Sequence, residues 1–128
     1  MGILDNPQKE AVFTPAERVE MIGDLYRDDP AVEVQSFSGL LVNFLQQVKA
    51  TIIIRGMRAV SDFEYEFQMA LMNRRLSPGT ETVFLTPKEE YSYLSSRLVK
   101  EVHLLGGALD GLVPPAVLER MARRDPGS

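Results

Sequence analysis

The chain has 128 residues, a net charge of −4 and no cysteine. The length predicts one domain spanning residues 1–128, which the alternating elements below assign to the α/β class, and the lack of cysteine excludes a disulfide framework, a thiolate metal site and a cysteine nucleophile. The acidic balance leaves no basic surface for general nucleic-acid binding. No apolar run approaches the roughly 18 residues that could span a membrane, and no signal peptide is visible, so we expect a cytoplasmic protein.

The chain begins with elements that alternate between strand and helix. Residues 2–4 resemble the end of a strand. Thr14 as N-cap, Pro15 at the first helical position and Glu17 at the third predict a helix that runs to about residue 26. Residues 32–36 alternate between apolar and polar, which predicts a strand with one wetter face. Ser38 is then predicted to cap a second helix, whose apolar stripe is Leu40, Leu41, Phe44, Leu45 and Val48.

The central stretch, residues 51–66, carries the strongest signal. Three consecutive isoleucines, residues 52–54, predict a strand buried on both faces. Arg55 and Gly56 end this strand, and Arg58 follows on the loop. Ser61 with Glu64 matches a capping box for a helix over residues 62–76. On this helix Phe63, Phe67, Ala70 and Leu71 share one face, and Asp62, Glu66, Met69 and Asn73 share another.

The last part of the chain continues the alternation. Residues 83–87 predict the last strand, closed by Pro87. Ser95 and Ser96 open a helix that Gly106 and Gly107 end, and two prolines introduce a short final helix to about residue 123. Residues 125–128 are expected to fray. This order predicts a Rossmann-like parallel sheet with helical crossovers.

Two clusters of residues could bind an anion. Arg55 and Arg58 follow a strand at the edge where α/β folds bind ligands, and two cations there indicate a phosphate. The alternative is that they are surface charges bonded to nearby carboxylates. Hydroxyls and amides of residues 91–96 lie before a helix, which also favours an anion, although plain N-capping by one serine explains them too. His103, the only histidine, lies mid-helix and is expected to pack or face solvent. Scattered carboxylates give little support for a metal site built from protein side chains.

Three segments carry a resemblance to a known family. Residues 54–66, IRGMRAVSDFEYE, resemble the IRGLRAVxDFEYE signature of bacterial phosphopantetheine adenylyltransferases, and residues 94–101, LSSRLVKE, are similar to the second signature, ISSxxVKE. Residues 6–9, NPQK, with FTPAERV at 13–19, resemble the early NPxK…FxxEERV segment. The similarity runs from about residue 3 to residue 121.

The resemblance implies a nucleotidyltransferase-type fold and a homohexamer that uses Mg²⁺ to transfer adenylyl from ATP to 4′-phosphopantetheine, giving dephospho-CoA and pyrophosphate. Coenzyme A feedback is an open possibility. By position, it implies phosphopantetheine contacts from Lys9, Leu41 and Arg55. The implied ATP-binding residues are Gly56, Met57, Arg58, Glu66, Tyr91, Ser92, Tyr93, Leu94, Ser95, Ser96 and Arg97. Arg97 stands where the family commonly has a small hydroxyl residue.

The main departure lies at the front of the chain. The family opens with a strand, a GTFDPxTxGH loop and a helix, and the histidine of that loop stabilises the transition state; this sequence has no counterpart, so no catalytic residue is assigned. In the family the first strand is central, and we expect its loss to leave two half-sheets with unpaired edges. The expectation is a chain that, made alone, is unstable or rearranged and inactive, with a truncated gene model as the simplest explanation.

Three hypotheses follow from these residues. The first is a phosphopantetheine adenylyltransferase recorded without its amino terminus. The second is an inactive fragment that at most binds nucleotide or assembles with itself. The third is a related nucleotidyltransferase that acts on another phosphate ester, which fits the long first signature least well.

Overall fold

The computed structural model describes residues 1–124, so the predicted fraying of residues 125–128 lies outside the described residues. Within this range the strands are β1 (Gly2–Leu4), β2 (Gln35–Phe37), β3 (Ile52–Gly56) and β4 (Glu81–Leu85). The helices are α1 (Pro15–Leu25), α2 (Leu41–Val48), α3 (Phe63–Leu76), α4 (Ser96–Leu104) and α5 (Pro115–Ala122). The alternation of strands and helices that the sequence predicts is confirmed. No helix in this part of the chain is long and apolar enough to cross a bilayer.

The four strands form two parallel sheets of two strands each, β1 with β2 and β3 with β4. The expectation of two half-sheets is therefore confirmed. The chain also divides into two compact units. The first unit contains Met1–Leu40 and the chain from Pro114 onward, and the second contains Leu41–Val113. That the whole chain acts as one domain stays a prediction.

In the first unit, β2 lies later in the chain than the alternating pattern predicts. The pattern placed a strand at residues 32–36, but the ladder pairs Gly2 with Gln35 and Leu4 with Phe37. Strand bounds follow the available partner rather than the side-chain pattern, so residues 32–34 stay outside the ladder. Beyond its ends, the amide of Asp5 donates to the carbonyl of Phe37 at 2.8 Å.

The start of α1 has the predicted capping box. The amide of Glu17 donates to the Thr14 hydroxyl at 3.2 Å, and the amide of Thr14 donates to the Glu17 carboxylate at 2.8 Å. This hydrogen bond from the Thr14 amide is the largest cause of a pKa below the ordinary value for Glu17; desolvation, the second-largest cause, opposes it, and the Thr14 hydroxyl and Arg124 lower the pKa further. The local sequence alone specifies this helix end.

Helix α5 is tied to α1 by charge. The Arg120 guanidinium donates to the Glu20 carboxylate at 3.1 Å, and Arg124 forms an ion pair with Glu17. Arg124 also lies over the Phe13 ring, with 5.1 Å between the guanidinium carbon and the ring centroid. These contacts join residues about 100 positions apart in the chain, so no local pattern could predict them.

In the second unit, the prediction that the isoleucine strand is buried on both faces is wrong. β3 runs parallel to β4 from the pair Ile52 and Glu81 to the pair Gly56 and Leu85. Ile53 is 7 % exposed, whereas Ile52 and Ile54 are 59 % and 67 % exposed. Because successive side chains point to opposite faces of a strand, only the face that carries Ile53 is covered.

Two predicted helix caps are also corrected. α2 begins at Leu41, so Ser38 lies too early to be its N-cap. α3 is capped by Asp62, whose carboxylate accepts from the amide of Tyr65 at 3.1 Å, and not by Ser61. The Ser61 hydroxyl instead accepts from the amide of Arg58 at 3.0 Å, which closes the preceding turn. An aspartate that follows a serine competes for the same role, and backbone geometry selects the aspartate.

The two faces predicted for α3 differ in burial, although not as apolarity suggests. The rings of Phe63 and Phe67 stack with centroids 6.2 Å apart, yet these residues are 63 % and 51 % exposed. On the other predicted face, Asn73 is buried at 7 % and the Glu66 side chain is 15 % exposed. The part of the helix surface that carries Glu66 and Asn73 is therefore more covered than the part that carries the two phenylalanines. The carboxylate of Glu66 is largely shielded from solvent.

Candidate active site

The loop that follows β3 is fixed at the carboxyl end of the sheet. The amide of Met57 donates to the carbonyl of Leu85 at 2.8 Å, which continues the β3–β4 ladder by one residue. The turn then closes through the hydrogen bond from the Arg58 amide to Ser61, and the Ser61 amide donates to the carbonyl of Arg58 at 3.0 Å. This is the edge at which open α/β sheets bind ligands, as the sequence predicts.

Arg55 lies at this edge and pairs with Glu66 on α3. Its Nε donates to Oε2 of Glu66 at 3.0 Å, and its Nη2 donates to Oε1 at 2.6 Å. This two-point contact is the strongest form of an arginine–carboxylate pair, and it raises the pKa of the Arg55 guanidinium against a smaller opposing effect of desolvation. The alternative stated from sequence, an arginine bonded to a nearby carboxylate, thus describes Arg55 in this structure. Its side chain remains 51 % exposed.

Arg58 joins the arginine loop to the second signature segment. Its Nη1 donates to the carbonyl of Leu94 at 2.7 Å. Next to it, the amide of Ala59 donates to the carbonyl of Ser92 at 3.1 Å. Two hydrogen bonds therefore hold the two segments side by side, although 36 positions separate Arg58 from Leu94. The sequence did not single out Ala59, because a backbone donor leaves no signature in residue type.

The second segment ends at the amino terminus of α4. The Ser95 hydroxyl accepts from the amide of Leu98 at 3.1 Å, so the capping alternative holds for Ser95. Ser96 and Arg97 occupy the first two helical positions, whose amides have no partner within a helix and so favour an anion. Both residues are exposed. Capping by Ser95 thus leaves the anion-binding alternative open for the amides that follow it.

The aromatic residues of the second segment line the same loop. Tyr91 ends a short 3₁₀ turn, Glu89–Tyr91, and is 38 % exposed, and Tyr93 is 51 % exposed. The amide of Leu94 donates to the carbonyl of Tyr91 at 3.1 Å, which folds this segment back on itself. Within the second unit, the structure therefore brings Arg58 and Ala59 next to residues 92–94.

The predicted phosphopantetheine contacts are divided between the units. Leu41 is the first residue of α2 and is half-buried, and Arg55 ends β3, both in the second unit. Lys9 belongs to the first unit, in a turn where its amide donates to the carbonyl of Asn6 at 3.1 Å, and it is exposed. The roles of these three residues stay predictions.

Neither a histidine nor a metal cluster marks this site. His103 lies within α4 and is half-buried, as its mid-helix position in the sequence suggested. Across residues 1–124, no group of three or more histidine, cysteine, aspartate or glutamate side chains is arranged to hold a metal ion. The groups described at this edge are guanidinium groups, hydroxyls, backbone amides and the carboxylate of Glu66.

Comparison with known proteins gives the relationship of the chain. A family model described as cytidylyltransferase-like matches residues 1–102. The phosphopantetheine adenylyltransferase of Clostridium tetani is 49 % identical over 124 residues, which cover 97 % of this chain and 78 % of that protein. The enzyme of the same name from Aromatoleum aromaticum is 52 % identical over 124 residues, covering 97 % of this chain and 76 % of the relative. That of Caldanaerobacter subterraneus is 48 % identical over the same length, with 97 % and 78 % covered.

These similarities agree with the parallel strands and intervening helices of the structure and with both signature segments. They confirm the predicted nucleotidyltransferase type of fold. They give no support to the alternative of an inactive fragment. The chain therefore belongs to the phosphopantetheine adenylyltransferase family, within the cytidylyltransferase-like group.

Proposed function

We propose that this protein transfers the adenylyl group of ATP to 4′-phosphopantetheine, which gives dephospho-CoA and pyrophosphate. The observation that carries the proposal is the junction of the two signature segments, through Arg58 with Leu94 and Ala59 with Ser92, at the carboxyl end of a parallel strand. The names of relatives about half identical over nearly the whole chain support the same reaction.

The chemistry suits the groups at the site. A phosphate oxygen of phosphopantetheine attacks the α-phosphorus of ATP, and the bond from this phosphorus to pyrophosphate breaks. Such a step needs no covalent help from the protein; it needs alignment of the reactants and positive charge along the phosphates. In our proposal Arg55 holds the attacking phosphate and Leu41, in the same unit, contacts the pantetheine arm, while a contact from Lys9 to phosphopantetheine stays a prediction.

The nucleotide is proposed to bind along the joined segments. In this proposal, backbone groups of Gly56 and Met57, at the end of β3, contact the nucleotide. Arg58 and the amides at the start of α4 stabilise the charge that moves onto pyrophosphate. The remaining proposed ATP contacts are Glu66, Tyr91, Ser92, Tyr93, Leu94, Ser95, Ser96 and Arg97. A long arginine in place of a small hydroxyl residue at position 97 would reach the nucleotide through its guanidinium or its amide.

Magnesium fits this arrangement as a companion of ATP. Mg²⁺ keeps several waters and is commonly bound through substrate phosphates with only one or two carboxylates. Glu66 is a carboxylate at this edge, and both of its oxygens contact Arg55, so it would reach the ion through water or contact the ribose instead. When bound, the ion would neutralise charge on the triphosphate, and the guanidinium groups of the chain would orient the triphosphate.

Three further parts of the proposal follow the family rather than the geometry. We propose a cytoplasmic protein, a homo-oligomer with six copies, and regulation in which coenzyme A competes for the site. Each has a direct measurement: fractionation of cells for the location, sedimentation for the number of copies, and inhibition by coenzyme A for the regulation.

The test of the reaction is an assay with ATP and phosphopantetheine that follows pyrophosphate release and identifies dephospho-CoA by mass. We expect both products, and we expect none when phosphopantetheine is replaced by pantetheine, which lacks the phosphate. Arg58→Ala should lower the rate at least 10-fold, because it removes a cation from the proposed triphosphate site. A matched control is Arg74→Ala, which removes an arginine paired with Glu81 at the opposite end of the strands. Transfer from CTP instead of ATP, or onto a different phosphate ester, would overturn the proposal.

A further inference from the structure

The contact between Arg55 and Glu66 occupies the part of the arginine best suited to an anion. A guanidinium carries five N–H donors, and the edge formed by Nε and Nη2 presents two parallel donors to a carboxylate or a phosphate. In this structure that edge is filled by both oxygens of Glu66. The Glu66 side chain is only 15 % exposed, whereas that of Arg55 is 51 % exposed, so the carboxylate is the more fixed partner.

A phosphate that approaches Arg55 therefore meets a carboxylate of the same charge sign. It must either displace Glu66 from the Nε–Nη2 edge or bind the remaining donors within several ångströms of a negative charge. Both routes cost affinity, because two like unit charges about 4–6 Å apart repel by roughly 1 kcal/mol in water and by more at a partly covered site. A phosphate monoester carries between one and two negative charges near neutral pH, which increases this repulsion.

We propose that Glu66 is an internal competitor for the phosphate-binding edge of Arg55 and so acts as a specificity-determining residue for the phosphopantetheine subsite. This inference rests on the proposed function for the identity of the substrate. Inorganic phosphate has only its charge with which to displace Glu66. Phosphopantetheine has an additional pantetheine arm that can contribute contacts, so it offsets the competition where inorganic phosphate does not.

The experiment measures the dissociation constants of inorganic phosphate and of phosphopantetheine separately by calorimetry, without nucleotide, at one low ionic strength. The variant is Glu66→Gln, which keeps the shape of the side chain and can still accept one hydrogen bond from the guanidinium, but removes the charge. We expect it to bind inorganic phosphate about 5- to 30-fold more tightly than the native chain, the range that corresponds to roughly 1–2 kcal/mol of repulsion, and to gain less for phosphopantetheine, whose arm already offsets the competition. Inorganic phosphate should accordingly become a stronger competitor of phosphopantetheine.

Two controls separate competition from other roles of Glu66. Glu81→Gln removes another carboxylate that pairs with an arginine, in this case Arg74 of α3 at a distance of 2.7 Å. This pair lies at the opposite end of the strands, so the substitution should leave both dissociation constants unchanged. In an Arg55→Ala background, Glu66→Gln should no longer tighten phosphate binding in the same way, because the edge for which it competes is gone. Far-ultraviolet circular dichroism of each variant verifies that it is folded, and Glu66→Ala provides a second neutral variant.

The outcomes distinguish this inference from the proposed function. Unchanged or weaker binding of inorganic phosphate by both neutral variants overturns the competitor role and indicates that Glu66 orients Arg55 instead. Tighter binding of inorganic phosphate without any binding of phosphopantetheine, by native chain or variant, supports competition at Arg55 but overturns the proposed substrate. Equal tightening in the Arg55→Ala background also contradicts the inference, because the effect would then not pass through Arg55.

Discussion

The three isoleucines of β3 allow a direct test of which face of this strand is covered. They are identical in type and adjacent in sequence, but Ile53 is 7 % exposed while Ile52 and Ile54 are 59 % and 67 % exposed. Truncation of a buried isoleucine to alanine costs about 2–5 kcal/mol, because it removes apolar burial and leaves a cavity. We therefore expect Ile53→Ala to lower the free energy of unfolding by about 2–4 kcal/mol.

The flanking isoleucines should cost much less. Roughly a third to two fifths of each is covered, and complete burial of such a side chain contributes about 1.5–3 kcal/mol. The expected loss for Ile52→Ala or Ile54→Ala is thus about 0.5–1 kcal/mol. The loss of a β-branched side chain from a strand lowers the free energy of unfolding by a further amount, also up to about 1 kcal/mol. This second loss applies equally to all three positions.

Urea unfolding followed by circular dichroism measures these differences, provided that the dependence on urea is the same in each variant. Ile53→Val, with an expected loss of about 0.5–1.5 kcal/mol, serves if the alanine variant does not fold. Equal losses at all three positions would refute the one-sided burial of β3 and support the prediction from sequence that both faces are buried.

Three further predictions concern other parts of the chain. Arg58→Lys should restore only part of the activity lost in Arg58→Ala, because a lysine keeps the positive charge but lacks the planar guanidinium that reaches the carbonyl of Leu94; the pyrophosphate assay measures this. Glu17→Gln should lower the melting temperature at pH 7. Because the folded pKa of Glu17 lies below its ordinary value of about 4.3, this stabilisation is present above the ordinary value and lost as pH falls through the folded one, so the difference between native and variant should disappear as pH falls through that folded value. Gly107→Ala should destabilise the end of α4, since a Cβ there would lie 2.5 Å from Cγ1 of Val102, and Val102→Ala in the same chain should recover part of the loss in a thermal melt.

The parts of the site that the sequence predicted well are those in which the relevant residues are close in the chain. A β-branched run followed by Arg55 and Gly56 does place a strand end at a loop, and Ser95 does begin a helix. The capping box of α1 formed as expected because Thr14 and Glu17 are only three residues apart. Such features depend on local backbone geometry, which the residue types themselves restrict.

The predictions that failed depended on neighbours that the sequence does not show. Burial of Ile52 and Ile54 would require a second covered face, and the bounds of β2 depended on the register set by β1. Ser61 and Asp62 were both reasonable caps, and only the backbone of the turn before α3 decided between them.

The sequence by itself determined the order of strands and helices, the family and the two signature segments, because each is written in short stretches of residue types. Only the tertiary structure decided which groups meet. It paired Arg55 with Glu66, eleven positions away, and Arg58 with the carbonyl of Leu94, thirty-six positions away. Two arginines that look equivalent in sequence thus differ in chemistry, because one faces a carboxylate and the other a peptide oxygen, and this depends on which elements pack around the end of β3.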